Sequence, residues 1–221
     1  MSAPFRPVDG PAASPDFIRL ISSWISDPET QFIGFVWEGY RAFVCDSPAV
    51  DGRDLERSIS QLLEPRIRQA MTGFEPYYIQ HGPFERETMK APPAQPPEYD
   101  LAFILRAEER IMWPMEAKVL ETSSQTANYV KDINNEFLTC RYAPFTASGA
   151  MLGFLLSGTS SDVFSRLETK LSCSLNPLNE FPNKPNRHSD HQRTVPRGKT
   201  YSADFRCFHL ILDFPNLKRN N

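Results

Sequence analysis

Two apolar segments joined by a short polar turn constrain the fold of this chain more than any other feature of its sequence. Residues 99–106 are rich in Leu, Phe and Ile, and residues 111–120 are nearly as apolar. Their spacing predicts a β-hairpin of two antiparallel strands. A turn centred near Glu108 places Asp100 across from Glu116, where cross-strand Cβ atoms lie about 5 Å apart. A slip of one residue would separate the two carboxylates, so the interpretation depends on this register.

The second strand also carries a lysine on the face that bears its glutamate. Side chains alternate along a strand, so Glu116 and Lys118 project together while Ala117 and Val119 project to the other face. Mg²⁺ prefers oxygen ligands and takes one or two carboxylates, with water and phosphate oxygens completing its coordination. A lysine beside such an ion positions or deprotonates an attacking water and offsets charge on a phosphorane. The pattern indicates a metal-dependent phosphodiesterase site, and the alternative is a surface ion pair on an ordinary hairpin.

With these residues the chain resembles the restriction-endonuclease-like nucleases of the PD-(D/E)XK superfamily. The resemblance covers about residues 54–157. It implies an α/β fold with an αβββαβ core, in which a central mixed sheet is flanked by helices. It also implies Mg²⁺ as the cofactor, with Mn²⁺ as a substitute, and DNA as the partner. Two positions depart from the family pattern: Tyr99 replaces the usual proline, and Pro114 interrupts the third strand, where it predicts an edge or a bulge.

The helix predicted before these strands offers a further acid. Asp54 is a capping residue, and the apolar stripe that follows it at helical spacing is Leu55, Ile59, Leu62, Leu63 and Ile67. Glu56 projects near the middle of this stripe, and members of the resembled family often bring a first-helix glutamate to the metal. Glu56 is therefore predicted as a metal ligand with Asp100 and Glu116. The alternative is that the helix dipole alone favours an acid in the first turn, and Pro65 is expected to kink or split this helix.

A second helix is predicted after the Glu-x-Lys strand, opening at Thr122. Gln125 and Tyr129 are four residues apart and would share one helical face. This Gln-x-x-x-Tyr pattern resembles an additional motif of nucleases related to the RecB exonuclease domain, where the pair holds substrate or active-site side chains. The predicted catalytic residues are Asp100, Glu116, Lys118, Gln125 and Tyr129. The alternatives are a capping box from Thr122 to Gln125 and a core position for Tyr129.

The charge of the chain limits where nucleic acid can bind. The net charge is −3, so there is no global basic field and any contact must be local. Residues 183–199 carry five Lys or Arg against one Asp. The predicted nucleic-acid contacts are Lys184, Arg187, Arg193, Arg197 and Lys199. The alternative is a solvated loop, which the low apolar content of the segment favours.

Histidine and cysteine offer little support for a second metal centre. His188 and His191 lie in the basic segment, and Cys207 and His209 follow on a predicted strand. Their spacing does not match a zinc finger, and a free Cys on an apolar strand is usually buried. The four cysteines are dispersed, which favours a reduced, cytoplasmic setting without a disulfide framework.

The length and composition favour a single domain. A chain of 221 residues with 40% hydrophobic residues can bury one sizeable core. Residues 1–15 are expected to form a disordered arm, residues 16–50 an N-terminal helix and hairpin that turns near Glu38-Gly39, and residues 51–221 the nuclease-like domain, with one compact unit over residues 16–221. The N-terminal addition would cover a sheet edge, form a homo-oligomer surface or bind a protein partner. No segment resembles a signal peptide or a membrane span, so no membrane contact is expected.

Two functions from different classes are open on the sequence alone. The first is a metal-dependent nuclease that hydrolyses phosphodiester bonds of DNA, in the manner of a restriction or phage-defence effector. The second is a catalytically inactive nuclease-fold protein that acts as a nucleic-acid-binding or assembly subunit. The acidic net charge and the missing proline favour the second. Lys118 favours the first, because a lysine beside carboxylates without metal or substrate is only a modest surface pair.

Overall fold

A computed structural model of the protein describes residues 15–23, 25–87 and 96–217, so the predicted N-terminal arm lies outside the described residues except for Pro15. The helices are α1 Phe17–Ile21, α2 Pro28–Asp46, α3 Leu55–Ala70, α4 Ala127–Asp132 and α5 Ser160–Leu171, and a π-helical turn, Ile133–Phe137, continues α4. The strands are β1 Tyr77–His81, β2 Leu101–Leu105, β3 Met112–Leu120, β4 Ser148–Leu155, β5 Asn176–Pro177, β6 Asn186–Gln192 and β7 Asp204–Asp213. They form one open mixed sheet of seven strands, which confirms the expected α/β class.

The sheet has the strand order β1-β2-β3-β4-β7-β6-β5. The first three strands form an antiparallel meander, β3, β4 and β7 run parallel, and β6 and β5 return antiparallel. The crossover from β3 to β4 carries α4, and the connection from β4 to β7 carries α5 and the β5–β6 pair. The nearly continuous apolar runs of β2 and β4 match their central positions, covered on both faces.

The predicted register of the β2–β3 hairpin is confirmed. Leu101 lies opposite Met115, and Phe103 lies opposite Trp113. Asp100 is the next residue outward on one strand and Glu116 on the other, so the acids come immediately after the last pair. The rest of β3 continues beside β4, with its β2 side left open.

Pro114 lies in a central strand, which corrects the expectation of an edge or a bulge. Its partner in β2 is Ala102. The N–H of Leu105 donates to Ile111 O at 3.0 Å, and hydrogen-bonded pairs alternate along an antiparallel ladder. The Ala102–Pro114 pair therefore falls at a non-hydrogen-bonded position, and the missing N–H faces the β4 side, where pairing begins at Met115. The proline removes no ladder hydrogen bond.

The two faces of the sheet bury different helices. One buried cluster joins α1, α2 and α3 to one face, and a second cluster joins α4 and α5 to the other. Met112 and Leu120 of β3 belong to the second cluster. Glu116 and Lys118 share their parity along the strand, so they project to the α4 side. None of the helices in the described part of the chain combines the length and apolar character needed to cross a bilayer.

Residues 31–45 form a helix, so the predicted hairpin with a turn at Glu38-Gly39 is wrong. The helix α2 begins after Asp27, whose carboxylate accepts a hydrogen bond from the N–H of Thr30. The buried apolar side chains of α2 include Phe32, Ile33, Val36, Trp37 and Phe43. The ring of Phe32 stacks on Phe103 of β2 with centroids 4.5 Å apart. Residues 16–50 are thus part of the core, and their apolar face is covered by the chain's own sheet.

Gly39 allows α2 to approach α3 closely. This contact is the reason for a glycine at the position where the sequence suggested a turn. A Cβ at this position would lie 2.6 Å from Cγ1 and 2.9 Å from the backbone nitrogen of Ile67. We expect Gly39→Ala to lower the free energy of unfolding by about 1 to 3 kcal/mol, as overpacking does. Gly34→Ala in the same helix is the matched control, because its Cβ would meet only the Phe181 ring at 3.8 Å and alanine favours a helix. Urea denaturation measures both variants, and equal stability would contradict the close contact.

Pro65 does not divide α3, contrary to the sequence expectation. The helix runs continuously from Leu55 to Ala70 with Pro65 on its exposed side. Leu63 and Ile67, before and after the proline, are fully buried. Packing on both sides of Pro65 outweighs the penalty of about 3 kcal/mol for a proline inside a helix.

Candidate active site

Lys118 lies among acidic side chains from three elements. Its Nζ is 2.9 Å from Glu116 Oε1, 3.0 Å from Glu56 Oε1 and 3.2 Å from Asp132 Oδ2, and the lysine side chain is 16% exposed. Burial opposes its charge, but the carboxylates of Glu116, Glu56 and Asp100 raise the pKa of Lys118 above its usual range. At neutral pH the lysine is therefore a cation. It is suited to orient water and neutralise charge, and not to deprotonate the water, which was the other role considered for it.

Beyond the end of β2, the backbone N–H groups on that side of β3 have no strand to pair with. The carboxylates of Asp100 and Glu56 accept hydrogen bonds from two of these N–H groups. Asp100 Oδ2 accepts a hydrogen bond from the N–H of Ala117 at 2.7 Å, and Glu56 Oε2 accepts one from Val119 at 3.0 Å. Both N–H groups point to the side on which β2 has ended, so each needs a partner from elsewhere. Because α3 packs on the opposite face, Glu56 reaches Lys118 around this open edge. Two carboxylates therefore lie together at the edge of β3 that β2 leaves unpaired.

The surroundings of Asp100, which is half-buried, and Glu116, which is buried, favour the protonated form of each acid. Burial raises the pKa of Asp100 to about 7, against the opposing effect of Lys118. Burial and the neighbouring Asp100 raise the pKa of Glu116 well above its usual range. Oε2 of Glu116 is buried and has no hydrogen-bond partner among the described residues. A buried polar atom without a partner is unfavourable, so the pair is poised to accept a proton or a cation.

These two carboxylates fit Mg²⁺ better than the predicted set of three acids. Mg²⁺ takes one or two protein carboxylates and keeps several waters. Asp100 and the unpartnered oxygen of Glu116 supply such a pair, whereas both oxygens of Glu56 are bonded, to Lys118 and to the N–H of Val119. Across the described ranges no three His, Cys, Asp or Glu side chains converge to ligate one ion. Glu56 therefore holds Lys118 and the strand edge, and does not complete a three-acid ligand set.

Asp132 belongs to the site, although it was not among the predicted site residues. It is the last residue of α4 and pairs with Lys118 at 3.2 Å, with its side chain 19% exposed. Tyr129, three residues earlier, is buried against the sheet. Residues three apart lie on the same side of a helix. The spacing of Asp132 from Tyr129 was therefore the sequence signal that could have placed this acid on the side of α4 that faces the sheet.

Tyr129 is a core residue, as its alternative interpretation held. Its hydroxyl lies 3.2 Å from Met151 O and 3.1 Å from Nδ1 of His209. The polar chain continues from Nε2 of His209 to Ser189 Oγ at 2.8 Å, and from there to Nε2 of His191 at 2.6 Å. This buried chain of hydrogen bonds holds α4 against β4, β7 and β6. Tyr129 thus helps to hold α4, which carries Asp132, against the sheet.

His191, Cys207 and His209, three of the four residues considered for zinc, are engaged in this packing. Burial lowers the pKa of His209 to about 3, so its imidazole is neutral, and both of its ring nitrogens have hydrogen-bond partners. Cys207 is fully buried, and burial raises the pKa of its thiol far above the usual range. Zinc binding requires an accessible thiolate and a free imidazole nitrogen. The structure offers neither at these two positions.

Gln125 precedes α4, so the prediction that it shares a helical face with Tyr129 is wrong. The helix begins at Ala127. The side-chain oxygen of Gln125 accepts a hydrogen bond from the N–H of Glu121 at 3.2 Å, and its own N–H donates to Thr122 O at 3.1 Å. Gln125 therefore closes the turn after β3, a role similar to the capping alternative.

The basic residues predicted to contact nucleic acid do not share one surface. Lys184 lies over the ring of Trp37 on the α2 side of the sheet, and Arg187 lies over Phe164 on the α5 side. Arg193 is buried and donates hydrogen bonds to backbone carbonyl oxygens. Opposite faces and a buried guanidinium cannot contact one nucleic-acid backbone together.

The basic segment is also remote from the acids. Residues 186–192 form β6, which stands three strand positions from β3, or about 14 Å at the usual strand spacing. Lys199 pairs with Glu87 at 2.8 Å, while Arg197 is exposed. Residues 186–192 are thus a structural strand, which corrects the predicted interface there, whereas residues 193–199 form a mostly exposed loop, as the alternative held.

Comparison with protein-family models, with curated proteins and with solved structures finds no match to this chain. The function of the protein is therefore inferred from the geometry of the site itself. Its central features are two carboxylates with raised pKa values, of which Glu116 is buried and Asp100 half-buried, and a lysine held as a cation. This set can bind a hard divalent cation and oppose negative charge on a phosphate.

Proposed function

We propose that the protein is a Mg²⁺-dependent nuclease that hydrolyses phosphodiester bonds of DNA. The observation that carries the proposal is the buried, unpartnered carboxylate oxygen of Glu116, beside Asp100 and with Lys118 bonded to the other oxygen. An acid in an ordinary surface pair is exposed and solvated. A buried acid and a half-buried one beside a lysine are instead the donor set that phosphoryl transfer needs.

The order of elements supports a restriction-endonuclease-like core. The helix α3 is followed by the meander β1-β2-β3, then by α4 and by β4, which pairs parallel to β3. This is the αβββαβ order that the sequence resemblance implies. The acids and the lysine lie at the point where β2 leaves β3, so one local feature positions all three.

The chain's own residues account for most of the proposed chemistry. Asp100 and Glu116 would hold Mg²⁺, which when bound lowers the pKa of a water and polarises the phosphoryl oxygen. Lys118 is bonded to Glu116, Glu56 and Ala117 O, so it would exchange one carboxylate for the attacking water or a phosphate oxygen. Its charge stabilises the negative charge that develops there. Glu56 and Asp132 hold the ammonium in place, each within hydrogen-bonding distance of it.

A second candidate is a catalytically inactive nuclease-fold protein that serves as a nucleic-acid-binding or assembly subunit. The observation that favours it is that Asp100 and Glu56 already serve the fold, by accepting hydrogen bonds from the open edge of β3. Acids with this structural role would be retained without catalysis. A setting in restriction or phage defence, in the cytoplasm, stays a prediction for either candidate.

Digestion of a panel of nucleic acids separates the two candidates. Supercoiled plasmid, linear duplex, single-stranded DNA and RNA are each incubated with Mg²⁺, with Mn²⁺ and with EDTA. We expect cleavage of a DNA substrate with either metal and none in EDTA. If wild type cleaves no substrate, the binding-subunit candidate replaces the nuclease. Cleavage of RNA alone would keep the chemistry and overturn the assignment to DNA.

A further inference from the structure

A cavity of about 270 Å³ opens beside the acids, on the side of α3 and β1. Its wall carries four carboxylates, from Glu56 and Asp100 of the site and from Asp54 and Glu98. Its two basic residues are Arg57, from the first turn of α3, and His81, the last residue of β1. The volume lies just below the range of roughly 300 to 1,000 Å³ that encloses drug-sized ligands. It suits a fragment such as one phosphate with its sugar.

We propose that Arg57 and His81 form a phosphate-binding subsite that seats a nucleic-acid backbone next to Asp100. This inference rests on the proposed nuclease function and names the residues through which that function reaches its substrate. It assigns the contact to the wall of the site itself, in place of the basic segment on β6.

The environment of Arg57 indicates that its charge serves a ligand. Its side chain is exposed, and within the described ranges its guanidinium makes no hydrogen bond or ion pair. By contrast, Arg53, Arg66 and Arg68 around the same helix each pair with a carboxylate. Arg57 stands at the third position of α3, where the helix dipole disfavours a cation. An arginine that neither pairs with an acid nor suits its helix position is available to an anion from outside.

The backbone places His81 next to the same point. His81 lies opposite Leu101, directly beside Asp100 along β2. The following residue, Gly82, turns the chain with φ of +65° and donates its N–H to Asp100 O at 3.1 Å. The turn fixes the imidazole at the mouth of the site, where its ring N–H can donate to a phosphate oxygen. Arg57, which immediately follows Glu56, approaches from the other wall.

Kinetics and binding together test the subsite. For the substrate that wild type cleaves, we expect Arg57→Ala to raise KM about tenfold with little change in kcat, since a charge-assisted hydrogen bond is lost from binding. Fluorescence anisotropy with a labelled oligonucleotide in Ca²⁺ should show about the same tenfold loss of affinity. The slope of log Kd against log salt concentration should fall by about one, as expected for one phosphate contact fewer. Arg57→Lys should recover part of the affinity, and His81→Asn should show a smaller rise in KM.

Arg53→Ala is the matched control, because Arg53 is exposed just before α3 and is paired with Asp51. It should leave KM and Kd unchanged. Urea denaturation of Arg57→Ala should show stability equal to or above that of wild type, whereas a structural role would lower it. An unchanged KM and Kd in Arg57→Ala, or an equal effect in Arg53→Ala, overturns the subsite while the nuclease stands. Binding that depends on Arg57 in a wild-type protein that cleaves nothing rejects the nuclease and keeps the subsite.

Discussion

Asp100→Asn is expected to stabilise the protein at pH 8 while removing its activity. The folded carboxyl has its pKa raised from 3.8 to about 7 by burial. Between these values the folded state binds more protons than the unfolded state, so wild type loses up to about 1.4 kcal/mol of stability per pH unit as pH rises. Asparagine has no charge to bury, and its side-chain oxygen can still accept the hydrogen bond from Ala117. We therefore expect Asp100→Asn to exceed wild type by about 2 to 4 kcal/mol at pH 8.

The measurement is the difference in unfolding free energy between the two proteins, by urea denaturation from pH 3.5 to 8.5 in EDTA. The difference is needed because His209 acts in the opposite sense. Burial lowers its pKa to about 3, so its contribution is lost as pH falls below the usual histidine pKa of about 6.5. His209 is present in both proteins and cancels.

The advantage of Asp100→Asn should vanish near pH 4. Asp51→Asn is the control, because Asp51 is exposed and Arg53 lowers its pKa to about 2. Neutralising that aspartate should bring no gain at pH 8. An Asp100→Asn profile parallel to wild type at every pH would mean that Asp100 is not an electrostatically strained acid.

Lys118→Met is expected to be the most destabilising substitution in the site. The ammonium pairs with Glu116, Glu56 and Asp132, and removing one partner of a buried ion pair costs about 3 to 5 kcal/mol. Without the cation the pKa values of Asp100 and Glu116 rise further, because Lys118 lowers both. Carboxyls with raised pKa values destabilise the folded state above their unfolded pKa, so the loss should be largest above pH 7 and smallest near pH 4.

Thermal and urea unfolding of Lys118→Met and wild type measure this loss. Lys131→Met is the matched control, since Lys131 is an exposed lysine of α4 beside Asp132. Lys131→Met should have the same unfolding free energy as wild type. A Lys118→Met variant as stable as Lys131→Met at pH 8 would show that the ammonium does not hold the acids together.

The sequence was sufficient for the centre of the site because local rules decide it. The position of the polar turn sets the β2–β3 register, and strand alternation then fixes Asp100, Glu116 and Lys118 relative to one another. The helical wheel placed Glu56 on the buried face of its helix and predicted it as a metal ligand. Its bonds to Lys118 and to the N–H of Val119 could not be predicted in this way, because both depend on where β2 stops pairing.

The misjudged elements are those in which tertiary contacts override local signals. Gly39 resembles a turn residue, yet it serves the close contact of α2 with Ile67. Pro65 is tolerated because the buried face of α3 packs on both sides of it. Arg193 looks like a surface cation, but it satisfies buried carbonyl oxygens. None of these partners is close in sequence, so periodicity and residue type cannot identify them.

Cleavage of DNA by Glu116→Gln tests whether Glu116 is a metal ligand of a nuclease site. Glutamine keeps the shape of the side chain and an oxygen for Lys118, but it removes the charge that a metal ligand requires. In Mg²⁺ we predict that wild type cleaves and that Glu116→Gln is slower by at least about 100-fold, the scale of losing one transition-state contact. Glu109→Gln, at the exposed far end of the same hairpin, should cleave like wild type. Cleavage by Glu116→Gln at the wild-type rate would contradict the assignment of the site.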